Sequence, residues 1–215
     1  IQVIYWPVYR IVSWFISTAL LTKRLPMTCS AVDTGELTRA RRQVFLALFV
    51  AVAVTLHVFE TLLPPPVPWL RLGLANIMTL AALYLYDGRA AWTVSLARVG
   101  IGALLLGRLF SPGFWLALAG AIVATSAMIV MYRVAGRRLS PIGVSTIGAA
   151  GHALGQILAA RLLVIQHEAI WQIFPLFLFF TIFSGILTGW MAAGLLEQLR
   201  QHPAFQDSNK SGNHC

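Results

Sequence analysis

The sequence predicts an all-α integral membrane protein with about six transmembrane helices in one bundle. Of its 215 residues, 58% are hydrophobic and only 11% are charged, whereas about a quarter of the residues in a soluble domain are charged. The apolar residues are also grouped into stretches of about 20 residues, which is the length that an α-helix needs to cross a hydrocarbon core about 30 Å thick. Because backbone groups cannot stay unpaired in lipid, we expect each stretch to be a helix.

Six apolar stretches follow one another between short polar segments, and they cover residues 43–63, 70–87, 90–108, 113–134, 141–165 and 170–196. Proline and glycine lie between them, as in the segment PPPVP at residues 64–68. Proline cannot continue a helix because it lacks the amide donor and clashes with the preceding turn. We therefore expect one six-helix membrane domain at 43–199, an N-terminal extension and juxtamembrane segment at 1–42, and a polar C-terminal tail at 200–215.

The first 25 residues differ from the six later stretches. Their apolar run is interrupted by Pro7 and Arg10, and it has no small-residue cleavage site of the signal-peptide kind. The sequence starts with Ile1, so Met27 is a candidate start of the protein. We expect residues 1–26 to be an appendage to the membrane domain; the alternative is a seventh helix that spans the membrane or lies at its interface.

The formal net charge of +9 indicates membrane topology and contacts with anionic lipid. The basic residues lie in small groups between apolar stretches, without a basic helical face or interleaved aromatic residues, so we expect no nucleic-acid partner. With six helices, one side of the membrane receives Arg39, Arg41, Arg42, Arg89, Arg133, Arg137, Arg138, Arg200 and Lys210, and the other receives only Arg71 and Arg108. This asymmetry predicts that both termini are cytoplasmic.

Several kinds of catalytic site have no motif in this sequence. The two cysteines, Cys29 and Cys215, form no CxxC or Cys/His cluster, so we expect no metal site and no disulfide framework. The sequence contains no GxxxxGK phosphate loop, no HExxH, no GxSxG and no aspartate-rich pair for Mg²⁺ and a diphosphate. We expect no cofactor and no ATPase or metal-dependent transferase site in the chain itself.

A few polar side chains lie inside the apolar stretches, where burial of an ionisable group costs about 2.5 to 3.5 kcal/mol. The predicted topology places most of them in the outer half of the membrane, and the spacings of three and four residues put two pairs on common helical faces. Together they predict a cavity open to the outside. The residues are His57, Glu60, Asn76, Arg98, His152, Gln156 and Arg161.

Each of these residues also has a structural interpretation. Arg98 lies near the middle of its helix and should pair with Glu60, a carbonyl group or an anionic ligand. Glu60 and Arg161 are close to helix ends, where they could instead extend to the interface. His152 could be a hydrogen-bonded histidine of the core.

Small residues recur at four-residue spacing on three of the predicted helices, which lets helices approach closely. We expect this spacing to serve packing within the bundle. The alternative is a face on the first helix that docks another membrane subunit. The residues are Ala47, Ala51, Gly148, Gly151, Gly155, Gly185 and Gly189.

Three stretches resemble one membrane-protein family. They are HVFETLLPPPVPWLRLGLANIMTL (57–80), SLARVGIGALLLGRLFSPGFWLALAG (95–120) and GVSTIGAAGHALGQILAARLLV (143–164). They lie within residues 57–164, about half of the chain, and are similar to the Gx transporter family, also called heptaprenyl diphosphate synthase component I. The fold of that family is similar to the substrate-binding S components of energy-coupling-factor transporters, and the resemblance implies a bacterial cytoplasmic membrane. It also implies functional positions at Glu60, Arg71, Leu72, Gly73, Asn76, Arg98, His152 and Gln156.

Three functions remain open on this evidence. The first is a membrane substrate-binding or transport subunit for a small ligand such as a vitamin, flavin, isoprenoid or quinone, energised by a partner subunit because the chain has no nucleotide motif. The second is a noncatalytic accessory subunit of heptaprenyl diphosphate or quinone synthesis, as the family label implies. The third is a membrane anchor for a flavin-linked redox assembly.

Overall fold

The computed structural model describes residues 34–62, 73–135, 139–163 and 170–201, and these residues form six α-helices and no strand. The helices are α1 (Thr34–Leu62), α2 (Leu74–Leu85), α3 (Gly88–Leu105), α4 (Pro112–Ala135), α5 (Pro141–Leu163) and α6 (Ile170–Gln201). The all-α fold class is confirmed. The predicted appendage at 1–26 and most of the polar tail lie outside the described residues, so the domain limits remain predictions.

Four of the helices, α1, α4, α5 and α6, are long and apolar enough to cross a membrane. They also expose large apolar side chains, such as Val130 (56% exposed), Phe179 (66%) and Phe183 (65%). A contiguous apolar surface of this kind is unfavourable in water and is stable against lipid tails. The protein is therefore a membrane protein whose outer surface contacts the bilayer.

Helix α2 lies at the centre of the bundle, where it packs against α1, α3 and α6. Nine of its twelve residues are buried. At 1.5 Å per residue it is about 18 Å long, well short of a hydrocarbon core of about 30 Å. It begins after Gly73, whose φ of 69° lies in the left-handed region that favours glycine. The N-terminal end of α2 therefore lies inside the bundle.

Glycines bring α4, α5 and α6 into close contact, so the packing prediction for these helices is confirmed. A Cβ atom on Gly155 would lie 2.8 Å from the carbonyl oxygen of Ala119 in α4, and one on Gly189 would lie 2.7 Å from Cα of Ile142 in α5. Such distances leave no room for a side chain. By contrast, Ala47 and Ala51 lie on an exposed face of α1, so a docking role for that face stays a prediction.

One end of the bundle collects the basic residues. The Nη2 atom of Arg42 at the start of α1 lies 2.7 Å from Oδ2 of Asp87 at the start of α3. Asp87 also caps α3, since its Oδ1 accepts a hydrogen bond from the Ala90 amide at 2.7 Å. At the same end, the hydroxyl of Tyr84 donates to the carbonyl of Leu139 before α5 at 3.2 Å. This arrangement matches the predicted alternation of the helices, and its cytoplasmic orientation remains a prediction.

Candidate functional site

A cavity lies at the opposite half of the bundle, and all six helices contribute to its lining. The cavity has a volume of about 80 Å³, which is enough to hold ordered water or a small chemical group. The lining combines polar side chains with small apolar ones: His57, Glu60, Gly73, Asn76, Arg98, Val99, Ala117, Ala124, Gly148, Ala149, His152, Thr181, Ser184, Gly185 and Thr188.

Arg98 lies on α3 with only 7% of its surface exposed. Its Nε atom is buried without a hydrogen-bond partner, and no hydrogen bond or short ion pair joins its guanidinium to any residue that the structure describes. Glu60 on α1 interacts with it electrostatically. A buried guanidinium N–H group without a hydrogen-bond partner is costly, so Arg98 is a cavity residue with an unmet need for an acceptor.

Glu60 is committed to the start of α2. Its Oε1 atom accepts a hydrogen bond from the backbone amide of Leu74 at 2.6 Å. Gly73, in the N-cap position, has no side chain that could cap the helix, so the carboxylate of α1 supplies the cap instead. A negative charge at a helix N-terminus is also favoured by the helix dipole. Glu60 therefore joins α1 to α2 and lines the cavity at the same time.

Asn76 lies one turn further along α2. Its Nδ2 atom lies 3.9 Å from the sulfur of Met128 on α4, and sulfur is a weak acceptor. Its Oδ1 atom is buried without a partner. The carboxamide therefore has an unmet acceptor, which complements the unmet donors of Arg98.

The two histidines lie against glycines of neighbouring helices. A Cβ atom on Gly102 of α3 would lie 2.6 Å from Cδ2 of His57, and one on Gly120 of α4 would lie 2.8 Å from Nδ1 of His152. The absence of side chains at these two positions makes space for the rings. Both rings thus reach the cavity from long helices on different sides of the bundle.

The structure brings Glu60, Asn76, Arg98 and His152 to one cavity, as the interrupted apolar stretches predicted. Gln156 lies beside His152, with Cγ 2.9 Å from a Cβ atom built on Gly120, but it is not among the lining residues. Arg71 lies outside the described residues. Whether any of these side chains binds a ligand remains a prediction.

Hydroxyl groups form a wall of the cavity that sequence reasoning missed. Oγ of Ser145 and Oγ1 of Thr188 lie 3.1 Å apart, and Thr188 also donates to the carbonyl of Ser184 at 3.0 Å. Thr181 donates to the carbonyl of Phe177 at 2.6 Å. The spacing of Thr181, Ser184 and Thr188 on one face of α6 was the available signal, although hydroxyls bonded to their own helix are common in apolar helices.

Metal binding has no support within the described part of the chain. There, no group of three His, Cys, Asp or Glu side chains is placed to hold a metal ion. The site is instead a set of hydrogen-bonding groups around one buried cation.

Comparison with known families gives a match across most of this helical bundle. The family model for heptaprenyl diphosphate synthase component I matches residues 49–195. The chain belongs to this family. It has no significant match among curated proteins or solved structures.

All fifteen lining residues of the cavity lie within the region that the component I family model matches. The described lining of the cavity is therefore built from the family's own region. The family's name describes a component of a synthase, and the membrane-spanning helices make this chain a membrane-associated member.

Proposed function

We propose that this component I protein is a membrane-embedded binding or transport subunit for a small organic ligand, without an ATPase of its own. One observation carries the proposal, namely that Arg98 is buried in a cavity lined by all six helices without a hydrogen bond to any described residue. An ionisable side chain in this position is costly and needs a compensating interaction. An acceptor on a bound ligand supplies it, while Asn76 and His152 orient the ligand.

The direction of access follows from the depth of the cavity. Its polar residues lie in the half of the bundle opposite the Arg42–Asp87 end. If the basic end faces the cytoplasm, as the positive-inside rule predicts, the ligand enters from outside a bacterial cytoplasmic membrane. Because the sequence contains no nucleotide-binding motif, energy for transport would come from a partner subunit.

Native mass spectrometry of the full chain, purified from its own membrane in mild detergent, tests this proposal. We expect the parent protein to release a small organic molecule, and Arg98→Met to lose it. Arg89→Met is the matched control, because Arg89 lies on the same helix but is exposed at the basic end. Retention of the same molecule by Arg98→Met, or release of none by the parent, would count against a binding subunit.

The family description favours a second candidate, a noncatalytic accessory subunit of heptaprenyl diphosphate or quinone synthesis. The chain has no aspartate-rich motif for a metal-bound diphosphate, so catalysis would belong to a soluble partner. The same mass spectra discriminate the two functions. A ligand-free chain that copurifies with an aspartate-rich synthase would support the accessory role.

A further inference from the structure

In the described lining of the cavity, one hydrogen-bond donor and one hydrogen-bond acceptor have no partner. Their use in ligand recognition rests on the binding function proposed above. Arg98 needs an acceptor for its guanidinium donors, and Oδ1 of Asn76 needs a donor. The contact of Nδ2 with the Met128 sulfur supports this orientation of the carboxamide, because the NH₂ group is the donor end. A ligand that satisfies both residues must carry an acceptor and a donor.

The other polar groups of the lining place weaker demands on a ligand. The hydroxyls of Thr181 and Thr188 already donate to backbone carbonyls of α6. Glu60 accepts the Leu74 amide. Discrimination between ligands should therefore depend mainly on Arg98 and Asn76. A buried polar group left without a partner costs more free energy than an additional contact to an already bonded group contributes.

The charges of the lining residues limit the charge that the ligand's acceptor group can carry. Among the fifteen lining residues that the structure describes, Arg98 carries the one fixed positive charge and Glu60 the one fixed negative charge. A single anionic group can face Arg98 in a charge-assisted, bidentate arrangement. A diphosphate brings several negative charges and, when fully ionised, no donor for Asn76, and excess buried charge is costly.

The volume of the cavity also limits the size of the ligand's polar end. The cavity volume of about 80 Å³ suits a compact polar headgroup better than a long isoprenoid chain. An oxidised quinone ring also fails the second demand, because it offers acceptors but no donor.

We infer that the cavity binds the headgroup of a small monocarboxylate that carries a neighbouring hydroxyl or amine, with the carboxylate on Arg98 and the donor on Asn76. This ligand class differs from a prenyl diphosphate and from an oxidised quinone. The ligand class follows from the two unmet groups, the single cation and the small volume, each of which is an independent property of the site.

A panel of matched probes tests the inference by calorimetry on the purified full chain in nanodiscs. The probes are 2-hydroxybutanoate, butanoate (which lacks the donor), 2-hydroxybutanamide (which lacks the charge) and inorganic diphosphate. We expect 2-hydroxybutanoate to bind tightest, and loss of either the donor or the charge to weaken binding roughly 5- to 100-fold. Equal binding of butanoate or 2-hydroxybutanamide, tighter binding of diphosphate, or no binding of any carboxylate would overturn the inference.

Two variants separate the roles of the two residues from general damage to the fold. Asn76→Leu should abolish the preference for 2-hydroxybutanoate over butanoate but keep the preference for the acid over the amide. Arg98→Met should do the reverse, and Arg89→Met should preserve both preferences. A merely structural defect would weaken all probes together, which would also overturn the assigned roles.

The outcome is distinguishable from failure of the proposed function. If native mass spectrometry releases a ligand that depends on Arg98 but is a diphosphate or lacks a carboxylate, the binding function stands and this inference is wrong. If no ligand is released and no probe binds, both are wrong.

Discussion

A methyl group at Gly155 should separate two helices that now touch through their backbones. In a Gly155→Ala variant, the new Cβ would lie 2.8 Å from the carbonyl oxygen of Ala119 and 3.0 Å from Cα of Gly120. Both are backbone atoms of α4, so no side-chain rotation can relieve the contact. Ordinary contact begins near 3.4 Å, so the axes of α4 and α5 must move apart by about 0.6 Å.

The expected cost follows from this displacement. Overpacking of a well-packed interior costs about 1 to 3 kcal/mol, since the movement also loosens neighbouring contacts along the two helices. For a chain of this size each kcal/mol lowers the melting temperature by about 2 to 4 °C. We therefore expect Gly155→Ala to melt about 2 to 12 °C below the parent.

Gly100→Ala is the matched control. Gly100 lies in α3, and a Cβ atom there would meet nothing within 4 Å. Removing a glycine from a helix interior should stabilise the protein by about 0.5 to 1 kcal/mol. Intrinsic fluorescence during heating of the detergent-purified variants measures both effects. If Gly155→Ala melts at or above the temperature of the parent, the close approach of α4 and α5 is not what stabilises this part of the bundle.

Two further predictions concern the hydrogen bonds and charges that connect the helices. Partial burial acts to raise the pKa of the Asp87 carboxyl, but the Ala90 amide and the Arg42 guanidinium outweigh it and hold this pKa below its ordinary value. The pair is therefore stabilising above about pH 4 and loses its effect as the pH falls through the lowered pKa. The pair is exposed and screened, and Asp87→Asn keeps a capping residue, so this variant should lose only about 0.2 to 1 kcal/mol of stability at pH 7. The difference in unfolding free energy between parent and variant should be present at pH 7 and largely lost at pH 3. Glu60→Ala should cost about 1 to 3 kcal/mol because the buried Leu74 amide loses its acceptor. Glu60→Gln keeps an acceptor oxygen and should recover most of that loss in the same melting assay. Equal losses in the two variants would show that the cap is not the stabilising contact.

The six helices were predictable because their apolar stretches are bounded by residues with a fixed physical meaning. Proline starts α4 at Pro112 and α5 at Pro141, and Asp87 caps α3. The largest difference lies at α1, which begins at Thr34 rather than at the apolar boundary near residue 43. A helix that leaves the bilayer can continue through polar residues, so hydropathy marks the membrane boundary and not the end of the helix.

The short central helix was less predictable. The apolar stretch at 70–87 is long enough to span the membrane, yet the described helix begins only at Leu74. The left-handed φ of Gly73 defines that start, and nothing in the neighbouring letters distinguishes this glycine from Gly100 or Gly102 within α3. The difference is set by the tertiary contact of Glu60 with the Leu74 amide, which joins residues fourteen apart.

The site was partly predictable for a related reason. Glu60, Asn76, Arg98 and His152 stand out because charged and amide side chains are rare in apolar helices. Ser145 and Thr188 did not stand out, because a hydroxyl can bond to its own helix; only the structure shows that these two also bond to each other across α5 and α6. Gln156 shares a face of α5 with His152, and both side chains lie against Gly120. Only His152 is among the residues that line the cavity, a distinction that helical spacing does not make.

The same features that position the site also limit the stability of the bundle. A central helix that begins inside the membrane needs an acceptor for its first amide, and Glu60 provides it. That carboxylate then lies near enough to Arg98 to offset part of its charge without bonding to it. A carboxylate has two oxygens, so Glu60 can cap α2 through Oε1 and still interact electrostatically with Arg98. The cap therefore fixes the Glu60 carboxylate near a guanidinium whose Nε atom has no hydrogen-bond partner among the described residues.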